Sequence, residues 1–234
     1  MEVKKSLKLS QQATLIVLLF LQQTIFMNDY IKKFLISPKS FWMKYYKWFN
    51  RWYLRFKGIE YGKNLQIYNK VYITGCRGKI IIGDDFHFTS GDGINPICRN
   101  IRGCIHTDRP NSTITIGNHV GMSSPCIWIQ DCLTIGNYVK IGGNCLILDT
   151  DTHQIDFLAR RGEKTTNGDI TTTIQSAPIT IEDDVWIGAN CIILKGVTIG
   201  TRSVIGAGSV VTKSIPSDCI AAGNPCRVIR ELKP

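Results

Sequence analysis

Patterns that would indicate a bound metal or disulfide bridges are missing from this sequence. The histidines are His87, His106, His119 and His153. They lie far apart without the cysteine or carboxylate companions of a zinc motif, so we expect no metal site. None of the nine cysteines forms a C-x-x-C pair, and their number is odd. Because Cys145 and Cys191 stand at apolar positions, we expect buried thiols in a reducing, cytoplasmic compartment.

A long apolar run is missing as well. Residues 13–21 are apolar and follow several lysines, as in a signal peptide, but Gln22 and Gln23 interrupt the run and no small-x-small cleavage pattern follows. The run is well short of the roughly 20 residues that span a bilayer. We therefore expect no membrane-spanning helix in this stretch, and an alternative start of the protein at Met27 stays open.

Positive charge, in contrast, is abundant. The 234 residues carry a formal net charge of +10. This charge suits nucleic acid, a membrane surface or a polyanionic ligand such as the phosphate-rich coenzyme A, and charge alone does not choose among them. The length fits a single β-rich repeat domain.

A six-residue repeat dominates the C-terminal half of the chain. Aliphatic side chains recur at Ile181, Ile187, Ile193, Ile199, Ile205 and Val211, and earlier at Ile135, Ile141 and Ile147. A helix does not repeat every six residues, and a plain strand alternates every two. The repeat predicts short strands joined by tight corners, three to a coil, with the aliphatic side chains stacked inside.

These repeats resemble those of the hexapeptide-repeat transferases over about residues 58–230. The most specific segments are PITIEDDVWIGANCIILKGVTIG, GAGSVVTKSIP and AAGNPCRVI. The resemblance implies an all-β fold, a left-handed parallel β-helix, and assembly as a homotrimer. The left hand is an exception to the usual crossover rule and comes from the family alone. The repeat breaks down between Gly83 and Asn111, which predicts an irregular coil or an inserted loop at residues 86–110.

A helix is predicted within residues 1–57, an N-terminal segment that we separate from the β-helix domain at residues 58–230. Its aromatic stripe is Phe41, Tyr45, Trp48, Trp52 and Phe56, and its basic stripe is Lys44, Lys47, Arg51 and Arg55. We favour a cap in which the aromatic side chains cover the open end of the repeats. The alternative, compatible with the first, is a helix in the membrane interface at the inner face of the membrane.

The repeat is interrupted again from about residue 153 to residue 177. A long ordered loop on a rigid scaffold is often functional. His153 stands at its mouth, near Asp149, Asp151 and Asp156. An imidazole can take the proton of an attacking hydroxyl, and a carboxylate on the other ring nitrogen would orient it. The sequence does not choose among the three aspartates.

The segment TDTHQID resembles the T-x-T-H-P-[IL]-D motif of the sugar O-acetyltransferase branch, in which the histidine is the catalytic base; Gln154 replaces the proline. This branch includes maltose and galactoside, nodulation, and capsule or colanic acid acetyltransferases. The same resemblance places Trp186 beside the histidine. Where the branch has an asparagine in the site, this chain has Ser123 and Ser124, and either is a candidate substitute.

The resemblance also implies a site for acetyl-CoA in a cleft between two subunits. The positions that it assigns to the donor are Gly188, Ala189, Gly206, Ala207, Thr212, Lys213 and Arg227. The small residues would let the pantetheine arm approach the backbone, and the cations would meet the adenosine phosphates.

Together these motifs predict direct transfer of an acetyl group to a hydroxyl of a small-molecule or lipid-linked saccharide, in cell-surface polysaccharide biosynthesis. Transfer to an amino sugar or to the hydroxyl of serine is one alternative. A β-helix scaffold without catalysis is another. We do not expect nucleic acid as a partner, because the basic helix is the sole feature that favours it.

Overall fold

The computed structural model describes residues 42–91, 93–98, 100–163 and 174–232. Phe41 and the apolar run at residues 13–21 lie outside these ranges. The chain divides into two compact units, Met1–Tyr45 and Tyr46–Pro234. In the second unit, short parallel strands fall into three sheets, called faces A, B and C, which enclose the core as the sides of a prism.

Successive strands visit the three faces in turn, so that one strand from each face makes one coil. Face A contains β1 (Glu60–Tyr61), β4 (Lys79–Ile82), β7 (Thr113–Ile116), β10 (Cys132–Ile135), β13 (Ile179–Ile181) and β16 (Thr198–Ile199). Face B contains β2 (Gln66–Tyr68), β5 (His87–Thr89), β8 (Gly121–Ser123), β11 (Lys140–Ile141), β14 (Trp186–Ile187), β17 (Val204–Ile205) and β19 (Cys219–Ala222). Face C contains β3 (Tyr72–Thr74), β6 (Cys104–Thr107), β9 (Cys126–Ile129), β12 (Leu146–Leu148), β15 (Ile192–Ile193) and β18 (Val210–Val211). The last strand, β20 (Arg227–Glu231), pairs antiparallel with β19.

The core is built from columns of aliphatic side chains, each stacked on its equivalent one coil away. The columns include Ile135, Ile181 and Ile199 on face A, Ile141, Ile187 and Ile205 on face B, and Ile147, Ile193 and Val211 on face C. All of these side chains are buried. The coils predicted from the six-residue repeat are thereby confirmed. Cys145 and Cys191 are buried free thiols beside the columns, also as predicted.

Of the two alternatives predicted for residues 86–110, an irregular coil or an inserted loop, the structure has the inserted loop, but over a shorter range. Strands β5 and β6 continue faces B and C, and an inserted loop at residues 90–103 joins them. Phe86 and Phe88 fill the positions of the usual aliphatics and are fully buried. The six-residue pattern could not be recognised in this part of the sequence. Aromatic side chains replace aliphatic ones there, and the inserted loop interrupts the spacing next to them.

Helix α1, described over residues 42–56, closes the first coil from residue 46 onwards. The carbonyl groups of the first coil have no preceding coil to bond, and side chains of α1 donate to them instead. Asn50 Nδ2 donates to the carbonyls of Ile67 (3.2 Å) and Asn69 (2.8 Å), and Tyr53 Oη donates to Ile73 (3.2 Å). Next to these bonds, Leu54 is buried in the core.

The aromatic stripe of α1 does not form this cap. Trp48, Trp52 and Phe56 are 65%, 52% and 72% exposed. The expectation that these rings cover the open end is therefore wrong, because the end of a sheet needs hydrogen-bond donors as well as apolar contact. None of the helices within the described ranges has the length and apolar character needed to cross a bilayer.

Candidate active site

The excursion leaves the prism after β12 on face C and returns at β13 on face A. It contains one short helix, α2 (Phe157–Arg160). Asp156 is the N-cap of this helix and accepts hydrogen bonds from the N–H groups of Leu158 (2.9 Å) and Ala159 (3.0 Å). Residues 164–173 lie outside the described residues. The interruption predicted at about residues 153–177 corresponds to the connection between these two strands.

The two limbs of the excursion pair with each other at its base. Thr150 and Ser176 form an antiparallel bridge, and the N–H of Asp151 donates to the carbonyl of Gln175 (3.0 Å). This pairing gives the limb that carries His153 a fixed starting point on the rigid coil.

Gln130 and Arg109, at the corners of the two preceding coils, clamp both limbs. Gln130 is nearly buried, and its Oε1 accepts hydrogen bonds from Thr150 Oγ1 (3.0 Å) and Arg109 Nη2 (2.8 Å). Arg109 also donates to Ser176 Oγ and to the carbonyl of Ile174, both at 3.4 Å. Sequence reasoning missed this clamp because its members are distant in the chain and match no motif.

Asp149 holds the corner beneath the excursion. Its carboxylate is buried and accepts hydrogen bonds from the N–H groups of Gln130 (2.8 Å) and Asp131 (2.6 Å). Burial raises the pKa of the Asp149 carboxyl above its ordinary value, although these hydrogen bonds act in the opposite direction. The role of Asp149 is therefore structural.

The imidazole of His153 is exposed and forms no hydrogen bond or ion pair with any described residue. Asp151 is 2.6 Å from Lys195 Nζ in an ion pair, Asp156 caps α2, and Asp149 binds backbone amides. The prediction that one of these aspartates orients the imidazole is therefore wrong within a single protomer. Each of the three carboxylates binds another group instead.

The two candidate serines lie at the end of β8, where face B turns toward face C, and differ in accessibility. Ser124 is buried, its Oγ accepts from the N–H of Gly91 (3.0 Å), and it donates to the carbonyl of Thr89 (3.3 Å). Because it is buried, Ser124 cannot contact a sugar substrate, so the prediction that Ser124 belongs to the site is wrong. Ser123 is half-buried, and its Oγ accepts from Thr89 Oγ1 (3.1 Å).

The same corner carries a column of small residues predicted to meet coenzyme A. A Cβ atom added to Gly188 would lie 2.5 Å from the backbone nitrogen of Ala207, and one added to Gly206 would lie 2.7 Å from Ala222 Cβ. Neighbouring coils therefore approach closely along this corner and present their backbone to solvent. The remaining donor candidates, Thr212, Lys213 and Arg227, are exposed. Thr212 and Lys213 follow β18 on face C, and Arg227 begins β20.

Trp186 lies on face B and is 58% exposed, in register with Lys140 and Val204 on the adjacent coils. His153, in contrast, follows face C and precedes face A. No hydrogen bond or ring contact joins His153 to Trp186 or Ser123 within the described ranges. One protomer thus places the imidazole at one edge of the prism and the small-residue corner at another.

Known proteins contain the same repeat and are similar to this chain in sequence. A family model described as the hexapeptide repeat of succinyl-transferase matches residues 178–213. The galactoside O-acetyltransferase of Escherichia coli is 50% identical over 94 residues, which are 40% of this chain and 44% of that protein. A hexapeptide-repeat containing acetyltransferase from Vibrio cholerae, solved as a crystal structure, is 30% identical over 79% of this chain and 81% of its own, with a TM-score of 0.41. The chain belongs to the hexapeptide-repeat acyltransferase family.

A mutant N-acyltransferase from Bacillus cereus, in complex with dTDP-4-amino-4,6-dideoxyglucose and coenzyme A, has a similar fold. Its TM-score is 0.55 at 19% identity, over 79% of this chain and 89% of that chain. The fold of the present chain is the left-handed parallel β-helix of the hexapeptide-repeat family, as predicted. The chain spans 44% of the length of the galactoside O-acetyltransferase that it matches.

Within this family member, Gln154 is the clearest local peculiarity of the candidate site. Its Nε2 is buried and has no hydrogen-bond partner among the described residues, whereas its backbone carbonyl accepts from Arg160 Nη1 (2.9 Å). Searched over the described ranges, the chain contains no group of three or more His, Cys, Asp or Glu side chains that could hold a metal ion.

Proposed function

We propose that this protein is an acetyl-CoA-dependent O-acetyltransferase that acetylates a sugar hydroxyl in cell-surface polysaccharide assembly. The observation that carries the proposal is the exposed imidazole of His153, free of ion pairs among the described residues, on a clamped limb of a hexapeptide-repeat coil. Imidazole is the side chain that most often serves as a general base.

His153 acts as the general base in this proposal. It takes the proton of the acceptor hydroxyl as the oxygen attacks the thioester carbon of acetyl-CoA. The tetrahedral intermediate then collapses, the carbon–sulfur bond breaks, and the imidazolium returns the proton to the leaving thiolate. The products are the acetylated sugar and free coenzyme A.

The donor is proposed to lie along the corner of Gly188 and Gly206, where close-packed coils expose their backbone. Ala189 and Ala207 follow these glycines and keep the corner narrow. Cations near the C-terminus of the chain would pair with the adenosine phosphates through charge-assisted hydrogen bonds. The candidates for that role are Lys213 and Arg227, and Thr212 could add a neutral hydroxyl donor.

A complete site in this arrangement needs a second protomer. His153 stands at the edge between faces C and A, whereas the small-residue corner lies between faces B and C and Trp186 lies on face B. We therefore propose a homotrimer in which the imidazole of one protomer meets the donor corner and Trp186 of its neighbour.

The test is turnover of acetyl-CoA with a panel of sugars, amino sugars and serine, followed as release of the coenzyme A thiol. His153→Ala should lower kcat by about 10² or more, whereas His87→Ala, on an exposed residue of β5, should keep wild-type activity. Equal activity of wild type and His153→Ala, or transfer to amines alone, would contradict the proposal.

Mixed assemblies test the shared site. Trimers reassembled from His153→Ala and Trp186→Ala protomers should recover part of the activity that each variant lacks, because one intact site forms between unlike neighbours. Failure of mixing to restore any activity would place both residues in a site within one protomer.

We also propose that α1 contacts the inner face of an anionic membrane. The rings of Trp52 and Phe56 stack 5.5 Å apart on its exposed side, and Arg51 and Arg55 are exposed beside them. Rings at headgroup depth and cations near anionic lipid are typical of interfacial helices. Sedimentation with phosphatidylglycerol vesicles should carry the protein down and should fail for Trp52→Ser; sedimentation of both proteins alike would refute the contact.

A further inference from the structure

A cavity lies on the first two coils, where the inserted loop at residues 90–103 meets β3. Its volume is about 430 Å³, within the range of small-molecule sites. The residues that line it are Asn69, Tyr72, Asn100 and Arg102. We call it the Tyr72 pocket.

Two cations lie over the ring of Tyr72 and have no counter-ion in the described part of the chain. Lys70 Nζ lies 5.2 Å and Arg102 Cζ lies 5.8 Å from the ring centroid. Neither cation forms an ion pair with a carboxylate among the described residues. Positive groups that lack a carboxylate partner favour a bound anion in their vicinity.

The polar groups of the pocket are mostly donors. Arg102 Nη1 donates to Tyr72 Oη at 2.9 Å, which leaves the hydroxyl hydrogen of Tyr72 and the other guanidinium nitrogens available. Asn69 Oδ1 already accepts from the N–H of Lys70 (2.8 Å), so its Nδ2 is left as a donor. Surroundings of this kind suit a group that only accepts hydrogen bonds, such as a carboxylate or a phosphate.

The pocket lies on the same face as the strand that leads to His153. Three strand spacings on face C separate β3 from β12, a distance of about 14 Å along the prism. An extended oligosaccharide can span such a distance.

We propose that the Tyr72 pocket binds the carboxylate or phosphate group of an acidic saccharide. This inference rests on the proposed function and narrows its acceptor to sugars that carry a negative charge at a unit remote from the acetylated hydroxyl. Arg102 supplies the charge in the lining of the pocket, and Asn69 and Tyr72 supply neutral donors. Lys70 adds positive charge next to the ring of Tyr72.

The binding test uses the full chain without acetyl-CoA, by isothermal titration at low salt. The ligands are glucuronate, glucose 6-phosphate, glucose and inorganic phosphate. We expect at least one of the acidic sugars to bind more tightly than glucose and inorganic phosphate, by a factor of about ten or more. Which of the two acidic sugars binds more tightly identifies the anionic group. Binding of glucose or inorganic phosphate as tightly as both acidic sugars would overturn the proposal.

Matched variants locate the site. Arg102→Gln and Lys70→Gln should each weaken binding of the acidic sugar about tenfold. Lys57→Gln is the control, because Lys57 places its ammonium 5.8 Å from the ring of Tyr53, outside the pocket. Unchanged binding in both pocket variants, or an equal loss in the control, would refute the site. Circular dichroism melting shows which variants fold. If only one of the two variants, Arg102→Gln or Lys70→Gln, folds, that variant alone is enough for the test.

His153→Ala separates this proposal from the proposed function. It should bind the acidic sugar as wild type does while losing turnover. If the protein binds acidic sugars but acetylates no sugar, the pocket proposal holds and the proposed function is refuted. If it acetylates neutral sugars but binds no acidic sugar, the proposed function holds and the pocket proposal is refuted.

Discussion

Among single residues, Asp108 illustrates how neighbours determine the charge of a carboxyl group. It accepts hydrogen bonds from His106 Nε2 (3.2 Å), Gln130 Nε2 (3.0 Å) and Trp128 Nε1 (3.4 Å). Burial disfavours the carboxylate, but these donors outweigh it and hold the pKa of Asp108 below its ordinary value. On its other side, His106 Nδ1 lies 2.7 Å from Thr74 Oγ1, so the network ties three strands of face C together.

The lowered pKa predicts a dependence of stability on pH. The charged Asp108 contributes stability that is present above its unfolded-state pKa, near 3.8, and is lost as the pH falls through its lower folded-state pKa. We expect Asp108→Asn to lower the free energy of unfolding by about 1 kcal/mol at pH 7, after allowance for solvent screening. Urea denaturation from pH 3 to pH 7 should show this difference shrinking below pH 3.8; a difference that stays constant would contradict the assignment.

At the scale of elements, the excursion depends on groups outside itself. Its base pairs through Thr150 and Ser176, and the clamp of Gln130 and Arg109 joins that bridge to the preceding coils. An element held this way can carry a functional side chain at its mouth without a secondary structure of its own.

Loss of the clamp should loosen the excursion. In Gln130→Met the side chain keeps its volume but loses its bonds to Thr150, Arg109 and Asp108. We expect cleavage by trypsin after Arg160 and Arg161 to become several-fold faster, and kcat to fall while KM for acetyl-CoA stays unchanged.

The matched control for this clamp variant is Gln66→Met. Gln66 lies on β2 and bonds to Lys47, Asn64 and Tyr68, distant from the excursion. It should leave both readouts unchanged. Equal proteolysis of wild type and Gln130→Met would show that the clamp does not hold the excursion.

For the whole molecule, the spacing of the coils depends on close backbone contact at the corner between faces B and C. A Cβ atom on Gly142 would lie 2.5 Å from the backbone nitrogen of Ala189, which cannot move without separating two coils. A Cβ atom on Gly121 would meet only the flexible end of Lys140, at 3.3 Å.

These two glycines predict opposite outcomes for the same substitution. Gly142→Ala should lower the free energy of unfolding by about 1–3 kcal/mol, because the added methyl group overpacks the corner. Gly121→Ala should leave it within about 0.5 kcal/mol of wild type. Chemical denaturation of the two variants compares them directly, and equal stability would mean that the corner can expand without cost.

The sequence alone determined the coils and their core, because the six-residue period is a local pattern that each coil repeats. It also placed His153 at the mouth of the excursion and Cys145 and Cys191 in the interior. The part of the second coil that contains Phe86 and Phe88 was missed, since aromatic side chains broke the pattern without breaking the coil.

The contacts made by the residues near His153 in the candidate site could be established only from the tertiary structure. Asp151 is engaged by Lys195, Ser124 is turned inward, and Gln130 and Arg109 hold the excursion from two other coils. These relations join residues that are far apart in the chain and stacked in space. A repeat specifies how each coil is built, but contacts between corners arise only when the coils are stacked.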